Sequence, residues 1–351
     1  MDIPCAPILT DIALNGRTVK ALAQPTKQGF LYVFNRETGE PIWPIEERPV
    51  PKGDVPGEWY SPTQPFPTKP SAFDNQGVFV DSLIDFTPEL RAEAIKLVSK
   101  YRIGPIFSPP TVSKADGTLG TITSPGSTGG ANWPGGSYDP ETHKLYVYSQ
   151  SAIAVLGMIP TPGPQFSDME YVQGTAGKEP RSSTPMGAPP APRAPGAAAE
   201  GGEGGATLSV NGLPLLKPPY GRITAYDMDK GAIAWQVAHG ETPDNVRNHA
   251  ALKGVTIPRT GQPGLVGVLT TKTLVIAGEP MFTTTASNGR GAMLRAYDKG
   301  TGKEVGAVFM PAPQSGSPMT YMLNGQQYIV VAISGPGFGG ELVAFRLRSI
   351  S

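Results

Sequence analysis

Tyr32-Val33-Phe34-Asn35-Arg36-Glu37-Thr38-Gly39-Glu40-Pro41-Ile42-Trp43 is the stretch on which the reading of this chain turns. The apolar run Tyr32-Val33-Phe34 leads into Asn35, a glycine follows at Gly39, and a tryptophan closes the stretch at Trp43. The pattern is strand, turn, strand: an Asx side chain caps the turn, glycine takes the positive φ, and alternating residues line one sheet face. It returns at Asp227, Gly231 and Trp235, and again at Asp298, Thr301 and Gly302, where Gly306 stands in the tryptophan's place. Tyr138-Asp139-Pro140-Glu141-Thr142 is a weaker fourth copy.

A repeated hairpin of this kind predicts stacked antiparallel blades. Further strands are expected in Leu145-Tyr146-Val147-Tyr148, Leu274-Val275-Ile276-Ala277, Tyr328 to Ala332 and Leu342 to Phe345. The fold class is therefore all-β, a β-propeller with four to five blades in this chain, with Trp43 and Trp235 wedged between blades. Composition agrees, because 44 glycines and 39 prolines in 351 residues suit short strands and turns better than long helices.

Two segments interrupt the repeat. Thr87 as a cap, Pro88 in the first turn and apolar residues at Leu90, Ala94, Leu97, Val98 and Tyr101 predict a helical insertion over 88–101 packed on the blades. Residues 178–206 are rich in Pro, Ala and Gly and have almost no large apolar side chain to bury, so they read as a flexible loop.

Charge and motifs exclude several classes. Lysine plus arginine balances aspartate plus glutamate at 29 each, which gives no long-range attraction for nucleic acid. One cysteine, Cys5, allows no internal disulfide, and with three scattered histidines it makes no zinc spacing; His143, His239 and His249 read as surface or turn residues. No apolar run approaches the roughly 18 residues of a membrane helix, and the first residues lack a signal-peptide pattern. A phosphate-cradling loop and a Gly-x-Ser-x-Gly elbow are both missing from the sequence.

Two turns remain as candidates for chemistry. Lys27, in Gln24-Pro25-Thr26-Lys27-Gln28-Gly29, is either a solvated lysine or one projecting at a blade end. Gly129-Gly130-Ala131-Asn132-Trp133-Pro134-Gly135-Gly136 surrounds Asn132 and Trp133 with glycines; it reads as core or turn, or as a place where backbone approaches a ligand.

Several stretches in order resemble the C-terminal part of pyrroloquinoline-quinone (PQQ) dependent dehydrogenases, in particular the membrane-bound quinoprotein glucose dehydrogenase branch. They are Met1-Asp2-Ile3-Pro4, Lys27-x-Gly29-x-Leu31-Tyr32-Val33-Phe34, Tyr60-Ser61-Pro62-Thr63-Gln64-Pro65-Phe66, Gly104 to Pro110, Gly130-Ala131-Asn132-Trp133, Pro219-Tyr220-Gly221 and Ser317 to Tyr328. The resemblance implies an eight-bladed propeller, with residues 1–351 as its C-terminal half, and PQQ near the axis beside a divalent cation, usually calcium. It implies oxidation of an aldose sugar or alcohol by hydride transfer to the quinone, with a carboxylate base taking the hydroxyl proton. Lys27 matches the basic residue that hydrogen-bonds the quinone oxygens, and Asn132 and Trp133 match a Gly-x-x-Asn-Trp turn at the cofactor. Gly337 and Phe338 fall in a glycine-rich turn where relatives place a cofactor-contacting Trp or His, so Phe338 is a departure.

The resemblance places the catalytic base one position before Met1 and the calcium ligands further upstream. The expectation is thus no catalytic or metal residue in this chain, inactivity alone, and a missing N-terminal half as partner, through a truncated gene rather than a split enzyme. A quinone or cytochrome electron acceptor and a periplasmic, possibly membrane-associated location follow from the resemblance alone. The competing expectation is a non-catalytic propeller scaffold that binds partner proteins.

Overall fold

A computed structural model describes residues 2–178, 208–285 and 287–346. The loop expected over 178–206 lies, beyond Lys178, outside the described residues. Among the described residues, four antiparallel sheets follow one another along the chain as blades, with smaller sheets in the connections between them. Blade I is Ile8–Leu14, Arg17–Pro25 and Leu31–Asn35, with Pro41 bridged to Phe34 at its outer edge. Blade II is Gly136–Asp139, Lys144–Gln150, Gly221–Asp227 and Ala232–Ala238. Blade III is Leu269–Thr270, Leu274–Gly278, Gly289–Asp298 and Glu304–Met310, with the short strand Thr283–Thr285 paired to the start of Gly289–Asp298. Blade IV has three strands, Met319–Leu323, Gln326–Gly335 and Phe338–Arg346.

Strand alternation makes each blade apolar on the faces it shares with neighbours. Ile12, Ala21, Leu31 and Val33 of blade I pack on Leu145, Val147 and Tyr226 of blade II. Tyr146, Ile223 and Ala225 on the other face of blade II meet Val275, Ala277 and Tyr297 of blade III. Ile276, Leu294 and Met310 then meet Ile329, Val331 and Ile333 of blade IV. This succession of face-to-face sheets is a β-propeller arc.

The quoted repeat explains how blades lock. A Cβ placed on Gly231 would stand 2.6 Å from the Trp43 ring, and one on Gly302 would stand 2.7 Å from Trp235. Both glycines sit at positive φ, so a side chain there is opposed by the backbone and by the neighbouring indole together. The ladder stops at both ends: among the described residues nothing lies within 4 Å of a Cβ on Gly39, and Gly306 offers no indole to blade IV. Correspondingly, Met319, Tyr321 and Leu323 share an exposed face of blade IV. The weaker copy at Asp139 belongs to the first hairpin of blade II, whereas Asn35, Asp227 and Asp298 each follow a third strand.

Antiparallel order separates the connections into two faces. The tight turns at Asn15-Gly16, Asp139–His143, Asp227–Gly231, Asp298–Gly302 and Asn324-Gly325 lie on one, and every long connection lies on the other. Residues 44–135, the described parts of 151–220 (151–178 and 208–220) and 239–268 are those long connections, and together they form a cap with a core of its own. Leu83, Ile84, Leu90, Val98, Leu213 and Leu215 are buried there. The cap's helix is Pro88–Val98, with the Thr87 hydroxyl accepting from the Leu90 amide. It ends three residues short of Tyr101, where turn-type bonds from Tyr101 to Val98 replace the helical pattern.

Candidate functional site

The cap and blade I enclose a cleft of about 550 Å³ that opens on the long-connection face. Lys27 and Asp2 line it, together with Trp59, Gln64, Phe107 and Ser108. Phe30, Phe66 and Phe107 form an edge-to-face wall beside it, with centroids 5.5 and 5.6 Å apart for the Phe66 pairs. Trp59 is 80% exposed at the cleft.

Lys27 is buried, and its Nζ stands 2.7 Å from Asp2 Oδ1. The hydrogen bond from Lys27 holds the Asp2 carboxyl below the usual carboxylate range. Asp2 is exposed, so the pair is solvent-screened from its side and contributes little to folding. Lys27 is held chiefly through backbone, by its own turn and by a glycine pair distant in sequence. Gly29 donates to Thr26 C=O at 3.1 Å, closing a turn in which the Thr26 hydroxyl is bonded to both the amide and the carbonyl of Phe30. Gly130 N–H then donates to Lys27 C=O at 2.9 Å. A Cβ on Gly129 would come within 2.4 Å of Lys27 Cγ, so this glycine at positive φ is the surface against which the lysine stem lies.

The structure therefore joins the two turns singled out in the sequence, but gives Asn132 and Trp133 different surroundings from Lys27. The Asn132 amide donates to Thr128 C=O at 2.8 Å and its carbonyl accepts from Trp133 N–H at 2.8 Å. Both of these bonds fix its own turn. Asn132 lines a separate shallow crevice with Tyr148, Gly264 and Leu265, and Trp133 is exposed. Gly337 and Phe338 lie on the same molecular face but in blade IV, where Phe338 packs against the core shared with blade III.

Beneath Lys27 sits a buried polar group with no signature in the sequence. Asp74 Oδ1 accepts from Asn75 N–H at 2.7 Å and from the Ser151 hydroxyl at 3.2 Å, and Arg222 Nη2 lies 3.8 Å away. Among the described residues, Asp74 Oδ2 is buried without a hydrogen-bond partner. Burial pushes this carboxyl up, against the opposing pull of Arg222. Cys5 is buried too, and desolvation moves its thiol up to about 11, which keeps it protonated and unreactive at neutral pH.

One histidine departs from the expectation of a surface or turn residue. His239 is fully buried between Tyr148 and Tyr297, bonded to Tyr297 Oη at 2.8 Å and Gly278 C=O at 3.0 Å. Burial moves it down to about 4. His143 lies at a turn beside Asp229, and His249 caps a short 3₁₀ turn. Among the described residues no cluster of three or more His, Cys, Asp or Glu is placed to hold a metal ion, and no helix is long and apolar enough to cross a membrane.

Comparison with known proteins places this geometry. Residues 1–329 match the PQQ glucose/ethanol/alcohol dehydrogenase β-propeller domain, and the chain belongs to that family. It is 31% identical over 365 residues to the quinoprotein glucose dehydrogenase of Escherichia coli (strain K12), covering 99% of this chain and 41% of that one. It is 30% identical over 354 residues to the quinate/shikimate dehydrogenase (quinone) of Acinetobacter baylyi, covering 99% and 40%. This chain thus spans about two fifths of the length of these relatives. The quinohemoprotein alcohol dehydrogenase from Comamonas testosteroni is a similar solved structure, with 19% identity, a TM-score of 0.49, and coverage of 97% of this chain and 37% of that one.

Proposed function

We propose that this chain forms one wall of a PQQ pocket in an oxidoreductase acting on the hydroxyl of an aldose sugar or alcohol. The carrying observation is Lys27, a buried ammonium at the cleft of a PQQ-dehydrogenase propeller. The residues fit an anionic planar cofactor: one cation, Lys27, and the aromatic rings of Trp59 and Phe107 border the same space. PQQ, when bound, supplies a quinone that accepts the hydride. Lys27 would hold a quinone or carboxylate oxygen by a charge-assisted bond and oppose negative charge that grows there. Gly129 fixes the lysine stem so that this donor is in place beforehand. Asp2 is the counter-ion that such a ligand would displace or share.

The exposed apolar face of blade IV and the open Gly39 turn of blade I fit a working form in which further blades cover both. In this reading the base, any calcium ligands and the remaining wall come from those blades, and activity appears only with them. A periplasmic location and a quinone or cytochrome acceptor belong to the same proposal.

The test is equilibrium titration of the purified chain with PQQ, alone and with calcium, then dye-linked oxidation of glucose, quinate and glycerol with and without the complementary blades. Lys27→Ala should weaken PQQ binding by about tenfold to a hundredfold, the worth of one buried charge-assisted bond. Equal binding by wild type and variant would remove Lys27 from the pocket. Absence of PQQ binding from the assembled protein would favour the partner-binding scaffold.

A further inference from the structure

We propose that Asp74 is a positioning residue for Lys27, a buried post that holds the lysine turn and the Gly129–Asn132 turn in register. The significance for cofactor binding rests on the role proposed above for Lys27; the positioning itself stands on geometry.

Both turns press on this one side chain. A Cβ on Gly29 would stand 3.1 Å from Asp74 Cβ, and one on Gly130 would stand 3.1 Å from Asp74 Cβ and 3.2 Å from Oδ2. A side chain at either position would press on Asp74, and at Gly29 the positive φ opposes one as well. The neighbouring backbone completes the clamp. Phe73 N–H donates to Gly29 C=O at 2.8 Å, the Gln76 amide donates to Gln28 C=O at 2.7 Å, and Gly130 N–H donates to Lys27 C=O. Three successive carbonyls, 27 to 29, are thereby tied to the two segments that meet at Asp74.

Asp74 is in turn fixed to blade II. Ser151, at the end of the Lys144–Gln150 strand, donates to Oδ1 and also accepts from Arg222 Nη2. Arg222 is held by Pro219 C=O at 3.0 Å. The position of Lys27 at the edge of blade I is thus referred to the rigid sheet of blade II through a carboxyl. The unpartnered Oδ2 argues for such a role, because a buried acceptor without a donor is destabilising and an apolar residue would fill the space without that cost.

The experiment compares Asp74→Ala and Asp74→Asn in the full chain. The rate of Lys27 acylation by a water-soluble N-hydroxysuccinimide ester is read peptide by peptide by mass spectrometry, with the half-exposed Lys20 as internal reference. Asp74→Ala should raise the Lys27 rate about tenfold while Lys20 is unchanged, because losing a buried anchor lets the turn open locally. Asp74→Asn keeps the shape and the Oδ1 acceptor and should stay within about twofold of wild type. A Lys27 rate in Asp74→Ala within about twofold of wild type overturns the proposal. If Asp74→Ala instead raises all lysines together, the fold has been lost and Ser151→Ala decides, with about a threefold rise confined to Lys27 expected. No rise there overturns the proposal as well. PQQ titration of the same variants separates the two readings: wild type that binds no PQQ sinks the cofactor role, while the acylation rates still judge Asp74.

Discussion

The blades and the cap are built on opposite principles. In the blades each strand packs on the next by local alternation, and a short repeat places Trp43 on Gly231 and Trp235 on Gly302. In the cap, Leu83, Leu90, Val155, Leu213 and Leu252 come from three separate connections and share one core only because the blades bring those connections to one face. A repeat makes its contacts from the same positions each time, whereas the cap has no periodic signal and depends on closure of long loops. The cleft lies where the two meet, so its shape belongs to the cap while its cation belongs to a blade.

The largest effect that would sharpen this contrast is expected at the junction of blades II and III. Arg295 is buried and bonds Glu279, Glu241 and Glu304, and Glu279 is itself fully buried. Arg295→Met leaves that carboxylate without its cation and should lower stability by about 3–5 kcal/mol in urea unfolding, across the blades as a unit. A change confined to one blade would break the picture of a cooperative arc.

Leu213→Ala in the cap core should cost about 2–5 kcal/mol by leaving a cavity. Hydrogen exchange is the decisive readout: cap amides should lose protection while those of Lys144–Gln150 and Gly221–Asp227 keep theirs. Equal loss in both would mean that cap and blades are one folding unit.

The smallest effect is a pH dependence from His239. Its folded value of about 4 lies below the model-compound value of 6.5, so the unfolded chain takes up the proton first as pH falls. Stability is unaffected by this group above pH 6.5, declines as pH falls toward 4, and should be lower by roughly 2 kcal/mol at pH 5. A His239→Gln variant whose midpoint falls between pH 6.5 and 5 as steeply as wild type would assign the dependence to another group.

Legibility in the sequence follows the same division. The Asx-to-Trp repeat, the strands beside it and the cap of the Pro88–Val98 helix were readable because each is decided by residues a few positions apart. Lys27 and Asn132 could be picked out by their glycine-rich turns, but not their burial, nor the separation of Asn132 into its own crevice. Asp74 and Arg222 gave no local signal; 148 positions apart, they are joined only when blade II packs under the lysine turn.

By itself, then, the sequence determined an all-β repeat with an even charge balance and a lysine set between turn residues, since hydrogen bonding and alternation act over short range. Tertiary structure alone decided which turns share a face, that His239 is buried and uncharged, and that a carboxyl lies against the Gly29 and Gly130 turns. Those properties depend on desolvation and on contacts between distant segments, which no window of sequence contains.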